Sequence, residues 1–366
     1  MEFIDLKSQQ ALIKEELDKN IATVLAHGRY IMGPEVLELE EALAQYVGAK
    51  HCVTVSSGTD SLLIALMALG VGPGDEVITI PYTWISTAEV IALLGAKPVF
   101  IDVCPQTWNM NPELLADAIT DKTKAIMPVG IYGQMADMKA INKIAKDHGD
   151  LPVIEDAAQC FGATQGSAKS CNAALIGSTS FFPSKPLGCY GDGGALFTND
   201  DEIATLMKQI RVHGQKQKHV HPVVGLNGRL DTLQAAILLP KLSIFDNEVK
   251  RRQEIAAKYQ AAFNKVDGID APTVAEGNTS VWAQYTILSD DRDVLSAKLK
   301  DAGIPSVSYY AKPLHLQEVF VDLGYKEGDF PISESVAARC LSLPMSPYLT
   351  DEEVTQVTSE LTKIYE

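Results

Sequence analysis

The chain has 366 residues, with 31 Lys and Arg against 47 Asp and Glu, and a net charge of −16 with histidine neutral. At 46% hydrophobic and 21% charged residues it has the composition of a folded globular protein, which excludes a disordered or fibrous chain. So acidic a chain should not grip nucleic acid nonspecifically, because that binding comes from Lys and Arg neutralising phosphates; a small anionic ligand needs only a local positive field.

The opening MEFIDLKSQQ lacks the basic-then-apolar pattern of an export signal. The longest apolar run, 62–71, is about half of the ~20 residues a membrane-crossing helix needs. A cytoplasmic protein with no membrane partner is expected. Cysteines 52, 104, 160, 171, 189 and 340 form no C-x-x-C pair, so reduced, mostly buried thiols and no metal site are expected.

Residues 8–26 place Leu12, Leu17, Ile21, Val24 and Leu25 at helical spacing, and His27-Gly28 closes that helix. A second helix starts at Pro34 and runs through EVLELEEALAQYV. Strand-like runs HCVTVSS, EVITI, KPVFIDV, KAIMPVGIY, LPVIEDA and GSTSFF then alternate with helical segments SLLIALMALG, STAEVIALLG, NPELLADAI and MKAINKIAKDHG. That alternation predicts an α/β domain with a mostly parallel sheet covered on both faces. Ligand-binding groups collect at the carboxyl ends of such strands. A long amphipathic helix, FDNEVKRRQEIAAKYQAAF, leads out of this domain. The segments WAQYTIL, DVLSAKLKDAG, PSVSYY and TDEEVTQVTSELTKI then supply a smaller C-terminal α/β domain, giving a division into 1–245 and 246–366.

Three places could carry chemistry. Ser57-Gly58-Thr59-Asp60 lies between a strand and a helix, where free backbone N–H groups and the helix dipole favour phosphate; the plain alternative is a capped turn. Asp156 ends an apolar run, and a carboxylate buried there costs several kcal/mol unless a cation meets it; the alternative is an exposed helix cap. Lys185, in SFFPSKPLGCYGDGGALFT, sits among apolar and turn residues, where desolvation would lower its pKa and make it nucleophilic. The glycines at 191, 193 and 194 read as a hairpin turn rather than a nucleotide loop. A phosphate cup, a strand-end Asp and a later Lys form the set a pyridoxal 5′-phosphate enzyme requires: anchor, partner for the pyridine nitrogen, and Schiff-base amine. Trp84, in PYTWIST, offers a flat surface for the ring unless it is a core aromatic.

The sequence resembles the DegT/DnrJ/EryC1/StrS sugar aminotransferases, a branch of the fold-type I pyridoxal phosphate enzymes. The likeness runs nearly end to end, through GPEVLELEEALAQYVGAK, SSGTDSLLIAL, GPGDEVITIPYTWISTAEVI, VIEDAAQCFGA, SFFPSKPLGCYGDGGA, GLNGRLDTLQAAIL and KPLHLQ. It implies an aspartate-aminotransferase-like large domain with a sheet of the seven-stranded type. It implies Lys185 as the Schiff-base lysine and proton shuttle, Asp156 on the pyridine nitrogen, Gln159 near the ring hydroxyl and Trp84 stacked on the opposite face. Gly58, Thr59 and Ser180 match the phosphate cup, with Asp60 beside them among the cofactor-binding residues. Asn227 matches a phosphate ligand supplied by the neighbouring subunit, which implies a homodimer with shared sites. Related dehydratases carry histidine in place of the lysine, so Lys185 favours transamination, with L-glutamate as donor and pyridoxamine 5′-phosphate as the form that carries the amino group.

Residues 203–230 contain no Asp or Glu but hold Lys208, Arg211, Lys216, Lys218 and Arg229 with His213, His219 and His221. Leading into Asn227, this stretch reads as a positive lip for a nucleotide diphosphate. The phrasing of several motifs looks most like enzymes that aminate C3 of UDP-2-acetamido-2-deoxy-3-oxo-D-glucuronate for bacterial surface polysaccharides. That resemblance makes Arg229 the candidate for a bidentate pair with the uronate carboxylate. Tyr309, where such enzymes commonly have histidine, together with Tyr310 and His315, completes the expected sugar-facing set. The alternatives are a 4-aminotransferase acting on a 4-keto-6-deoxy sugar nucleotide, and a non-catalytic regulator built on the same fold.

Overall fold

Helix-end signals shape the N-terminal region, with one departure from expectation. In the computed structural model, which describes residues 1–365, the single helix expected over 8–26 is two, Leu6–Leu12 and Lys14–His27, broken at Ile13. Ile13 and Leu17 are buried together against Ile237, a packing gain that an amphipathic repeat does not reveal. Gly28 closes the second helix in the left-handed conformation (φ 68°), as glycine without a Cβ can do cheaply. Pro34 opens the helix Pro34–Val47, where its missing N–H costs nothing.

Strands His51–Val55, Gly194–Thr198, Ile176–Ser180 and Ile154–Asp156 form one group in that spatial order; Lys97–Phe100, Glu76–Thr79 and Thr123–Ile126 form another. Parallel bridges from Ile126 to Val153 and from Val129 to Asp156 join the two. Within these groups only Gly194–Thr198 runs antiparallel to its neighbours. Val36, Leu39 and Leu43 pack with Ile78 and Ile126 on one side. Ile64, Leu66, Val90 and Ile91 pack with Val53, Val77, Ile154 and Ile176 on the other. Burial on both faces is why these strands read as apolar runs and not as alternation. The glycines at 191, 193 and 194 do not make a hairpin turn: the whole connection 181–193 loops out between strands Ile176–Ser180 and Gly194–Thr198, and it carries Lys185. That second strand and the following helix Asp201–Ile210 were not separated from the loop by sequence pattern.

The bridging helix is longer than its amphipathic stretch and runs from Thr232 to Phe263 with Pro240 inside. Proline cannot donate to the carbonyl four residues earlier, and Asn20 Nδ2 donates to that Ala236 carbonyl instead, at 3.4 Å. Phe245 packs in the sheet's core, whereas Ile255, Tyr259 and Phe263 pack with Tyr285, Leu341 and Leu361 in a separate one. There, strands Tyr285–Leu288 and Cys340–Leu343 pair antiparallel beneath helices Arg292–Asp301 and Asp351–Tyr365. The segment expected as a strand at 305–310 makes a single bridge, Val307 to Ser342.

Arg211 departs from the positive-lip reading. It is buried, ion-paired to Glu40, and donates to the Thr54 carbonyl at 2.8 Å, so it fastens helix Pro34–Val47 to strand His51–Val55 and is closed to a ligand. Among the described residues no helix is long and apolar enough to cross a membrane.

Candidate active site

The strand Ile154–Asp156 delivers Asp156 to the sheet's carboxyl edge, where it is 4% exposed. One oxygen accepts from Thr87 Oγ1 at 2.9 Å and the other from the Ala158 amide at 3.1 Å. Burial pushes its pKa up, against the pull of these two bonds and of the Lys185 charge. A carboxylate has about four acceptor positions, so this one has room for a further donor and gains most from a cationic one.

Lys185 lies in the connection 181–193, its amide donating to the Phe182 carbonyl at 2.8 Å. Burial lowers the pKa of its ammonium and the Asp156 charge opposes that shift. The outcome is an amine more easily deprotonated than a surface lysine, within electrostatic reach of an acid.

Helix Gly58–Ala68 starts after Ser57, whose Oγ caps the Asp60 amide at 3.0 Å. The amides of Gly58 and Thr59 have no acceptor among the described residues and remain available to an anion. Thr59 Oγ1 lies 2.8 Å from Ser86 Oγ, and the Asp60 carboxylate accepts from Ser56 Oγ. A Cβ at Gly58 would come 2.5 Å from the Cβ of Ser180, so glycine is what lets the end of strand Ile176–Ser180 close over the helix terminus. Trp84 is 60% exposed just ahead of helix Ser86–Leu93, a platform and not a core aromatic.

Gln159 is buried, accepting from the Tyr132 amide at 3.0 Å and donating to Tyr310 Oη at 3.1 Å. The Tyr310 ring lies over Tyr132 (centroids 6.1 Å apart) and edge-on to Tyr82 (5.9 Å), while the hydroxyls of Tyr82 and Tyr132 are 2.5 Å apart. Burial, then the Asp156 charge, drives the Tyr310 phenol's pKa upward, which keeps it neutral. Thr87, Tyr82 and Tyr132 were missed from sequence. Thr87 had a usable signal, three residues after Trp84 and therefore one helical turn along, but nothing local points to the two tyrosines.

Asn227 and Arg229 line an open cavity of about 620 Å³ with Ser56, Ser57, Asp60 and Asp192. Arg229 Nε is buried there without a hydrogen-bond partner among the described residues. Tyr309 packs beside Tyr310 and Phe3, 6.0 and 6.3 Å between centroids. His315 is buried and does not line this cavity. Its ring is enclosed 4.7 Å from Phe330, with Nε2 3.0 Å from Glu334, in a small cluster built on Phe100 and Phe320. His219 and His221 are exposed, and among the described residues no group of three or more His, Cys, Asp or Glu could hold a metal.

A nucleophilic lysine beside a buried acid, close to a helix terminus that can take phosphate, marks a fold-type I pyridoxal phosphate enzyme when it stands at the edge of such a sheet. Residues 11–362 match the model of the DegT/DnrJ/EryC1/StrS aminotransferase family, and the chain belongs to that family. A Pseudomonas aeruginosa protein named UDP-2-acetamido-2-deoxy-3-oxo-D-glucuronate aminotransferase is 54% identical over 362 residues, 99% of each chain. A DegT/DnrJ/EryC1/StrS aminotransferase structure from Brucella abortus has a TM-score of 0.95 at 44% identity, covering 100% of this chain and 99% of that one. NtdA from Bacillus subtilis, solved with bound cofactor PMP, has a TM-score of 0.90 at 32% identity, covering 96% of this chain and 82% of that one. The expected fold class and family stand.

Proposed function

We propose that this enzyme uses pyridoxal 5′-phosphate to move an amino group from L-glutamate to C3 of a UDP-linked 3-keto sugar, UDP-2-acetamido-2-deoxy-3-oxo-D-glucuronate. The chemistry rests on Lys185 beside Asp156. The substrate rests on one observation: Arg229, with no partner for its Nε, lines the open cavity next to Asn227 and Ser57 in a chain 54% identical to the Pseudomonas enzyme of that name.

The residues present suit the cofactor. The free amides of Gly58 and Thr59, with the Thr59 and Ser180 hydroxyls, suit its phosphate; Asp156 suits a protonated ring nitrogen, Trp84 a ring face, and Gln159 with Tyr310 a ring edge. When bound, pyridoxal phosphate supplies an electron sink for deprotonation at the carbon bearing the amine. Lys185 would move the proton, taking it as a neutral amine from one carbon and returning it as the ammonium to the carbon on the other side of the nitrogen. Asp156, fixed by Thr87 and Ala158, holds its charge against the ring. Our reading extends to a cytoplasmic homodimer in which exposed Asn227 completes the neighbouring phosphate site. It also extends to two lobes divided near 245/246, where the bridging helix passes from one core to the other.

Two outcomes test this site. Gly58→Ala should weaken cofactor binding about tenfold or more by prising Ser180 off the helix terminus. An absorbance titration of the apoprotein measures that. Arg229→Lys keeps the charge but loses the fork, so kcat/KM toward the 3-keto uronate should fall about tenfold to a hundredfold, the worth of hydrogen bonds to a charged group. Activity on the neutral 3-keto UDP-N-acetylglucosamine should change little. Equal losses on both sugars, or a product aminated at C4, would count against the assignment.

A further inference from the structure

Lys241 is fully buried in helix Thr232–Phe263, yet it makes no ion pair among the described residues. Its ammonium donates to the Gly188 carbonyl at 2.6 Å and lies 4.1 Å from the centre of the Tyr190 ring. Burying a lysine with one carbonyl and one aromatic face is costly, and a leucine or methionine would fill such space more cheaply. What the side chain touches is the loop that carries Lys185.

The contacts from Lys241 to that lysine form a short chain. Gly188 is pressed so closely against the Phe182 and Pro183 carbonyls that a Cβ would meet each at 2.7 Å. The Phe182 carbonyl in turn accepts from the Lys185 amide at 2.8 Å. Two residues further on, both backbone groups of Tyr190 are bound by Gln234 of the same helix, at 2.9 and 3.1 Å. The loop is therefore fastened to the bridging helix at two nearby residues, Gly188 and Tyr190, one fastening being a buried charge.

We propose that Lys241 is a positioning residue for Lys185, setting the height of the 181–193 loop through the Gly188 carbonyl. This rests on Lys185 being the reactive lysine. Burial lowers the Lys241 pKa to about 8, so at neutral pH it remains mostly an ammonium and a strong donor.

Lys241→Met fills the same space without the donor. Because a buried unpaired charge is removed, the melting temperature of the apoprotein should stay level or rise. Turnover of the holoenzyme should fall about tenfold to a hundredfold, as expected for a displaced reacting group. The rate at which Lys185 of the apoprotein is reductively methylated, followed by peptide mass spectrometry across pH, should shift as well. Lys241→Gln, neutral but able to donate to Gly188, should recover part of both turnover and labelling. Unchanged turnover and labelling in Lys241→Met would overturn the proposal. So would a fall in melting temperature that tracks the loss of activity, with no recovery in Lys241→Gln. Should Lys241→Met behave as wild type while Lys185→Ala is inactive, the positioning role fails and the reactive lysine stands.

Discussion

Lys185→Ala is expected to lower transamination by at least about 10²–10⁴-fold, the usual worth of a positioned proton carrier alone. The loss should fall on kcat, because the free amides of Gly58 and Thr59 and the carboxylate of Asp156 lie outside the substitution and still offer the cofactor its anchors. Removing a partly desolvated ammonium should also leave the melting temperature level or raise it, since burial is what lowers the Lys185 pKa. A small primary amine added to the assay should restore part of the rate by carrying the proton through the space the side chain vacated. Retained wild-type turnover in the variant would remove Lys185 from the chemistry, and with it the enzyme assignment.

The layered fold was legible because strands buried on both faces show as unbroken apolar runs, while Pro34 marks a helix start and Gly28 and Gly48 mark helix ends ahead of them. Asp156 and Lys185 were legible for a different reason. Each is a charge in a setting that would cost stability unless it had a use. Features that depend on distant partners were not readable: Arg211 looks like its basic neighbours until Glu40, far back in the chain, meets it in the interior. His315 follows the Tyr310 segment closely in sequence but is turned inward by Glu334 and Phe330. Tyr82, Tyr132 and Tyr310 come together only when distant stretches of the chain meet, so no local period announces them. Lys241 was hidden in the same way, because the Gly188 carbonyl it seeks is supplied by the loop of another strand pair.

Asp156→Asn tests the second half of the site through effects of opposite sign. The substitution keeps the shape but removes a charge that, at about 4 Å and an effective dielectric near 20, is worth about 4 kcal/mol to a cation beside it. Turnover should therefore fall about 10²–10³-fold even if the cofactor remains bound. Without cofactor the sign reverses. Burial raises the Asp156 pKa above its ordinary 3.8, so the folded apoprotein binds that proton more tightly than the unfolded chain does. The associated stability is complete below pH 3.8 and is lost as pH rises through the folded-state value. At pH 8 the variant escapes that loss, and its apoprotein should melt at the same temperature as wild type or higher. The holoprotein should melt lower, because the protonated ring nitrogen no longer meets an anion. The gain in melting temperature on adding pyridoxal phosphate, compared between wild type and variant, isolates this term from ordinary packing damage. An equal gain in both proteins would mean that Asp156 does not face the ring, and that its bonds to Thr87 and Ala158 serve the fold alone.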